Sequence, residues 1–206
     1  NKDIFKSKDE KVLVVDIRYG DTFDKTGKAQ RVLKLTYLGS SKYKWLVEST
    51  TTDSSTAITE QLLVGRKVQI KPIAINLVAG IRSTFQKNSP NGDIHSLVVG
   101  GQLAYRKPKQ ISIFVPSLNF ESEMTKNRSK TISFVSQVVQ ERKKFDFGVE
   151  FSARQRLDKP SRFQWTGGGV IAAKLHKKWP RIEFGAFRNF LEETSFRLRL
   201  SYQFKF

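Results

Sequence analysis

The last eleven residues alternate without a break: Phe196, Leu198, Leu200, Tyr202, Phe204 and Phe206 fall on one parity, and Arg197, Arg199, Ser201, Gln203 and Lys205 on the other. Side chains two apart share a face of a strand, so this spacing dictates a β-strand with one apolar face and one polar, mostly basic face. A soluble edge strand carrying such a face to its final residue is an aggregation hazard. The face therefore needs cover, either from a second sheet, as in a β-sandwich, or from lipid. The same period recurs upstream. Phe145, Phe147, Val149, Phe151 and Ala153 alternate with Asp146, Gly148, Glu150, Ser152 and Arg154, and the pattern continues through Phe163, Trp165, Gly167, Gly169, Ile171, Ala173 and Leu175, then Ile182, Phe184 and Ala186. Helical spacing is scarce; the segment 56–64 is too short for a stable helix and reads as a strand.

Composition narrows the choice. The chain has no cysteine, which excludes disulfide scaffolds, cysteine zinc sites and thiol chemistry. No run approaches the roughly 20 apolar residues of a membrane helix, whereas barrel strands of about 10 residues turn half their side chains to a polar interior. A mean hydropathy of −0.42 is thus compatible with either a soluble sheet or a barrel. A net charge of +18 predicts attraction to something anionic. The chain opens on Asn1 with no apolar leader, and the expectation is an exported chain whose signal peptide is absent.

The terminal strand resembles the β-signal of bacterial outer-membrane β-barrel proteins, with alternating apolar residues ending on an aromatic. The resemblance implies an outer-membrane location and recognition of this strand, with Tyr202, Phe204 and Phe206 as assembly signal, by the barrel-assembly machinery. Trp45, Trp165, Trp179, Tyr43, Tyr202 and Phe206 fall near strand ends, where interfacial aromatic girdles are expected.

Turn signals delimit strands near 11–19, 31–38, 42–49, 56–64, 67–84, 94–105, 110–121, 130–140, 144–157, 162–176, 181–190 and 195–206. The expectation is an all-β, transmembrane antiparallel up-and-down barrel of twelve strands over residues 1–206, with eight to twelve left open. The alternative has a small periplasmic region over 1–66 and an eight-stranded barrel over 67–206. With both termini periplasmic, the periplasmic turns are 39–41, 65–66, 106–109, 141–143 and 176–180, and the outer loops are 20–30, 50–55, 85–93, 122–129, 158–161 and 191–194. The long strand 67–84 changes phase at Pro72, which predicts a β-bulge there. Twelve short strands and a basic interior also resemble the small porins for acidic sugars, although none of their motifs is matched.

With Phe206 taken as lipid-facing, parity turns Arg154, Arg156, Arg162, Lys174, Arg181, Arg197, Arg199 and Lys205 into the lumen, together with the acids Asp146, Glu150 and Glu183. A lumen so lined concentrates anions, unless acids and bases on neighbouring strands pair and fill it. Basic periplasmic turns, with Arg106, Lys107 and Lys109, Arg142 and Lys143, and Lys177 and Lys178, are candidates for headgroups or an acidic partner, or are simply solvated. Gly167–Gly169 marks close packing or a bend.

Catalytic candidates are few, since only His95 and His176 are present. Outer-membrane deacylases carry a His and a Ser two positions apart, whereas His95 is followed directly by Ser96, on the opposite face. A lipid-modifying enzyme would require one of these histidines to be hydrogen-bonded to a serine facing the outer leaflet. A soluble basic β-protein binding nucleic acid is a further alternative, but no helix-turn-helix, zinc knuckle or Walker loop supports it and no nucleic acid is expected. The reading is a non-enzymatic barrel without cofactor or metal, acting as a small anion-favouring channel or as an accessory subunit of an envelope complex. Its expected partners are outer-membrane lipids, lipopolysaccharide, anionic solutes and other envelope proteins.

Overall fold

A computed structural model describes residues 11–21, 29–39, 45–70, 72–87, 92–106, 112–125, 128–142, 144–158, 163–173, 179–191 and 193–205. Twelve strands follow in chain order: β1 Val12–Asp21, β2 Ala29–Leu38, β3 Trp45–Asp53, β4 Ala57–Ile70, β5 Ile73–Gln86, β6 Ile94–Arg106, β7 Ser112–Glu123, β8 Lys130–Glu141, β9 Phe145–Arg156, β10 Gln164–Ala173, β11 Arg181–Asn189 and β12 Thr194–Lys205. Each pairs antiparallel with its neighbours in sequence, and β12 pairs with β1, closing the barrel. The barrel has twelve strands rather than eight, and β1–β4 are part of its wall.

Closure leaves each described strand paired on both sides, so its ladder bonds are made inside the sheet, as lipid requires. Alternation then sorts side chains between lumen and exterior. Ile17, Leu33, Leu62, Leu77, Ile81, Val99, Leu118, Val149, Ile171 and Leu198 stand outward and are all more than 40% exposed, which in a soluble protein would be a continuous apolar coat. That coat is flanked by aromatics. Trp45, Tyr105, Phe145 and Trp179 lie toward the end that holds the chain termini, and Tyr19, Phe85, Phe163 and Trp165 toward the opposite end. Tyr43 and Phe206 lie outside the described residues. This is a transmembrane barrel.

One boundary departs from the sequence reading. Gly65 and Arg66, expected as a turn, lie inside β4, and the chain reverses between Ile70 and Ile73, which pair with each other. No bulge is needed, because the phase change at Pro72 is the reversal itself: Leu63 and Lys67 are buried on β4, and Ala74 and Asn76 on β5. Proline suits a turn, where its missing N–H costs no ladder bond. Gly65 mimics a turn signal for a different reason. A Cβ there would sit 2.0 Å from the Leu77 carbonyl oxygen, so the neighbouring strand tolerates only glycine.

Candidate functional site

The lumen is the candidate site, and it is built in two sectors. On one side β9–β12 and β1 bring arginines and carboxylates into register. Arg197 donates to both oxygens of Glu150, at 2.8 and 3.0 Å, and to Glu183 at 3.1 Å. Arg199 donates to both oxygens of Asp16, at 3.1 and 2.8 Å, joining the last strand to the first. Arg181 lies 3.4 Å from Asp146 and 3.7 Å from Glu183, both of which are only 2% exposed. Two-point arginine–carboxylate contacts fix geometry as well as charge.

The wall beneath this network is thinned by glycine. Ideal Cβ atoms at Gly168 and Gly185 would fall 2.6 and 2.5 Å from the ring of Phe187, so that inward aromatic occupies space two side chains have vacated. The Arg197 guanidinium then stacks 4.5 Å from the Phe187 ring centre. Gly168 thus answers the expectation of close packing, while added Cβ atoms at Gly167 and Gly169 would meet only ordinary contacts near 4 Å.

Across the lumen, β5–β8 present mostly neutral groups. Asn76, Gln102, Ser117 and Gln137 face a cavity of about 340 Å³ whose other lining includes Asp16, Arg18, Lys34, Glu48, Glu150 and Arg199. Lys34 pairs with Glu48 at 2.9 Å. Arg18 differs from Arg199, the other arginine lining this cavity. It stands in register opposite Arg199, its Nε has no hydrogen-bond partner, and it makes no ion pair among the described residues.

A second cavity, about 470 Å³, opens toward the end opposite the termini. Hydroxyls of Thr50, Thr52, Thr59, Thr84 and Thr131 line it, with Arg82 and Arg154 sharing Glu121 on its far side. Arg82 also donates to Gln61 at 2.8 Å.

The predicted lumen residues can now be placed. Asp146, Glu150, Arg154, Arg181, Glu183, Arg197 and Arg199 are in the network or line the cavities. Arg156 turns instead to the loop residue Asp158, at 2.6 Å, and that hydrogen bond, helped by the Lys130 backbone N–H, draws the Asp158 carboxyl down to about 2. Arg162 and Lys174 lie outside the described residues, as does the side chain of Lys205. Of the basic turns, Arg142 is described and exposed, Arg106 ends β6, and Lys107, Lys109, Lys143, Lys177 and Lys178 lie outside the described residues. Tyr202 and Phe204 stand on the outer parity of β12, their rings 4.5 Å apart.

The lumen residues assigned by parity all lie on or beside β9–β12, and so leave out Arg18, Lys34, Lys67 and Arg82 on β1, β2, β4 and β5. The signal was present in β1, where Val12, Val14, Asp16 and Arg18 alternate with Leu13, Val15, Ile17 and Tyr19. Over the whole described lumen, acids match bases nearly one for one, so the excess of bases seen on the last four strands is not a property of the full wall.

No protein-family model matches the sequence, and no curated protein matches it. Solved structures do. The NanC porin superposes with a TM-score of 0.67 at 15% identity, over 91% of this chain and 98% of that one. The KdgM porin in complex with disordered oligogalacturonate gives 0.65 at 11% identity, over 94% and 99%. An outer-membrane channel from Pseudomonas putida F1 gives 0.57 at 10% identity, over 98% and 97%. At these identities the shared property is the fold: a closed twelve-stranded barrel similar to those of outer-membrane porins.

Proposed function

We propose that the chain is a passive outer-membrane channel whose lumen favours small anionic solutes, with its termini on the periplasmic side. The observation that supports this most directly is Arg18, a cation without an ion-pair partner among the described residues, on the wall of a central cavity that neutral amides and hydroxyls also line. Arg199, the other arginine lining that cavity, is neutralised by Asp16, so selectivity rests on a small local surplus of positive charge. Chain connectivity adds to it. The segments linking strands at the terminal end (39–44, 71–72, 107–111, 142–144 and 174–180) contain eleven Lys or Arg and no Asp or Glu. A similar barrel is described in complex with oligogalacturonate, a polyanion.

In this role the outward aromatic belts meet lipid and lipopolysaccharide, and the terminal strand is what the assembly machinery reads. No reaction is required for passage and no cofactor enters it. Planar-bilayer conductance tests the reading: reversal potentials in a potassium chloride gradient are expected to favour chloride. A single charge about 8 Å from an ion in a water-filled lumen is worth about 0.5 kcal/mol, favourable to chloride and unfavourable to potassium, so Arg18→Gln should lower the chloride-to-potassium permeability ratio about fivefold. A folded protein that conducts nothing would instead point to the accessory-subunit role.

A further inference from the structure

The exterior of the barrel holds a polar pair that solute passage does not use. His95, the second residue of β6, and Ser83, near the end of β5, are register partners, and His95 Nδ1 lies 3.0 Å from Ser83 Oγ. Both face outward. Their inward neighbours Arg82, Thr84 and Ser96 line the lumen cavity, so alternation places Ser83 and His95 on the lipid side. The residues two positions nearer the middle of the barrel, Ile81 and Leu97, are a register pair exposed by 50% and 49%, and Phe85 meets the imidazole edge-on at 6.4 Å. The Ser–His pair thus stands where the apolar coat ends, at the rim opposite the termini. In a bilayer that level is the boundary between acyl chains and headgroups, where acyl-ester carbonyls lie.

We infer that Ser83 and His95 form a lipid-facing nucleophile–base pair that cleaves an acyl ester of the surrounding membrane lipid. A serine hydroxyl is a weak nucleophile until a base within hydrogen-bond reach removes its proton, and the observed distance meets that requirement. Ser83 Oγ adds to the ester carbonyl carbon while its proton passes to His95 Nδ1. Collapse breaks the ester C–O bond, and the departing alcohol takes the proton from His95. Water then attacks the acyl-serine with the same proton relay, releasing a fatty acid and restoring Ser83. The net reaction is ester plus water to acid plus alcohol. Glu60, the register partner of Ser83 on β4, adds a carboxylate to the same row. The spacing of His and Ser along one strand concealed this pair, because cross-strand register joins residues twelve apart.

The test uses the folded full chain in detergent and in vesicles. A fluorophosphonate should label a single peptide containing Ser83. Ser83→Ala should abolish the label, and His95→Gln should slow it by at least about 100-fold, the low end of what general-base removal costs. Fatty-acid release is then followed by mass spectrometry in two separate arms, phospholipid vesicles and lipopolysaccharide-containing vesicles. Release in either supports the inference, and the arm that responds identifies the ester's source. A folded barrel that takes no label, that labels equally well as His95→Gln, or that releases no fatty acid in either arm overturns it.

Discussion

Glu150 accepts two hydrogen bonds from Arg197, across the width of two intervening strands. Replacing it with glutamine removes one charge and leaves the guanidinium with Glu183 alone. Charge-assisted bonds of this kind contribute about 1.5–3 kcal/mol each, so Glu150→Gln should lower stability by about 2 kcal/mol while raising anion preference. The two effects are read by denaturant midpoint and by reversal potential, and a variant that loses stability without gaining anion preference would show that Arg197 does not reach the solute path. Parity alone placed Arg197, Arg199, Glu150 and Glu183 on one face. Which acid neutralises which base was not legible, because Glu150 lies 47 residues from Arg197 and their meeting depends on strand register and barrel curvature. Arg18 was not legible for a simpler reason: its strand, β1, comes to lie beside β12 only when the barrel closes.

Strands β9–β12 were readable because aromatic and charged residues alternate there with few exceptions. The count of twelve was correct, while the break between β4 and β5 was set six residues early. Glycine near a basic residue looks like a turn, yet Gly65 serves a close strand approach, and Pro72 marks the turn rather than a bulge. Glycine at a lumen position is thus as often a space as a hinge. Gly185 is the sharpest case, since the ring of Phe187 occupies its missing side chain. Gly185→Val must push that ring into the lumen and unseat Arg197 from above it. Overpacking of this kind costs about 1–3 kcal/mol, so the thermal midpoint of the folded-to-unfolded gel shift should fall, and Phe187→Ala in the same chain should restore part of it. If the double variant is no better than the single, the clash is not the cause.

For the molecule as a whole, the sequence placed an apolar coat outside and charge inside, and the aromatic belts near strand ends. It could not show how evenly the lumen balances its charge. The chain's large positive excess instead falls mainly in connecting segments and in residues outside the described wall. A closed sheet with no free edge and an apolar coat should remain folded in detergent and resist denaturation by dodecyl sulfate until heated. Unheated and boiled samples are therefore expected to migrate differently, and a monodisperse detergent-free monomer would contradict the membrane assignment.

The seam between β1 and β12 joins the two strands most distant in sequence, and it carries the Arg199–Asp16 bond. Until the sheet closes, β12 is an edge bearing Arg197 and Arg199, and β1 is an edge bearing Asp16 and Arg18. Two β12 edges from separate chains would bring arginine against arginine with no acid to offset them, whereas β12 meeting its own β1 sets Arg18 opposite Arg199 but also supplies Asp16 as the counter-charge. The residue that latches the finished barrel therefore also discriminates against the wrong neighbour during its assembly.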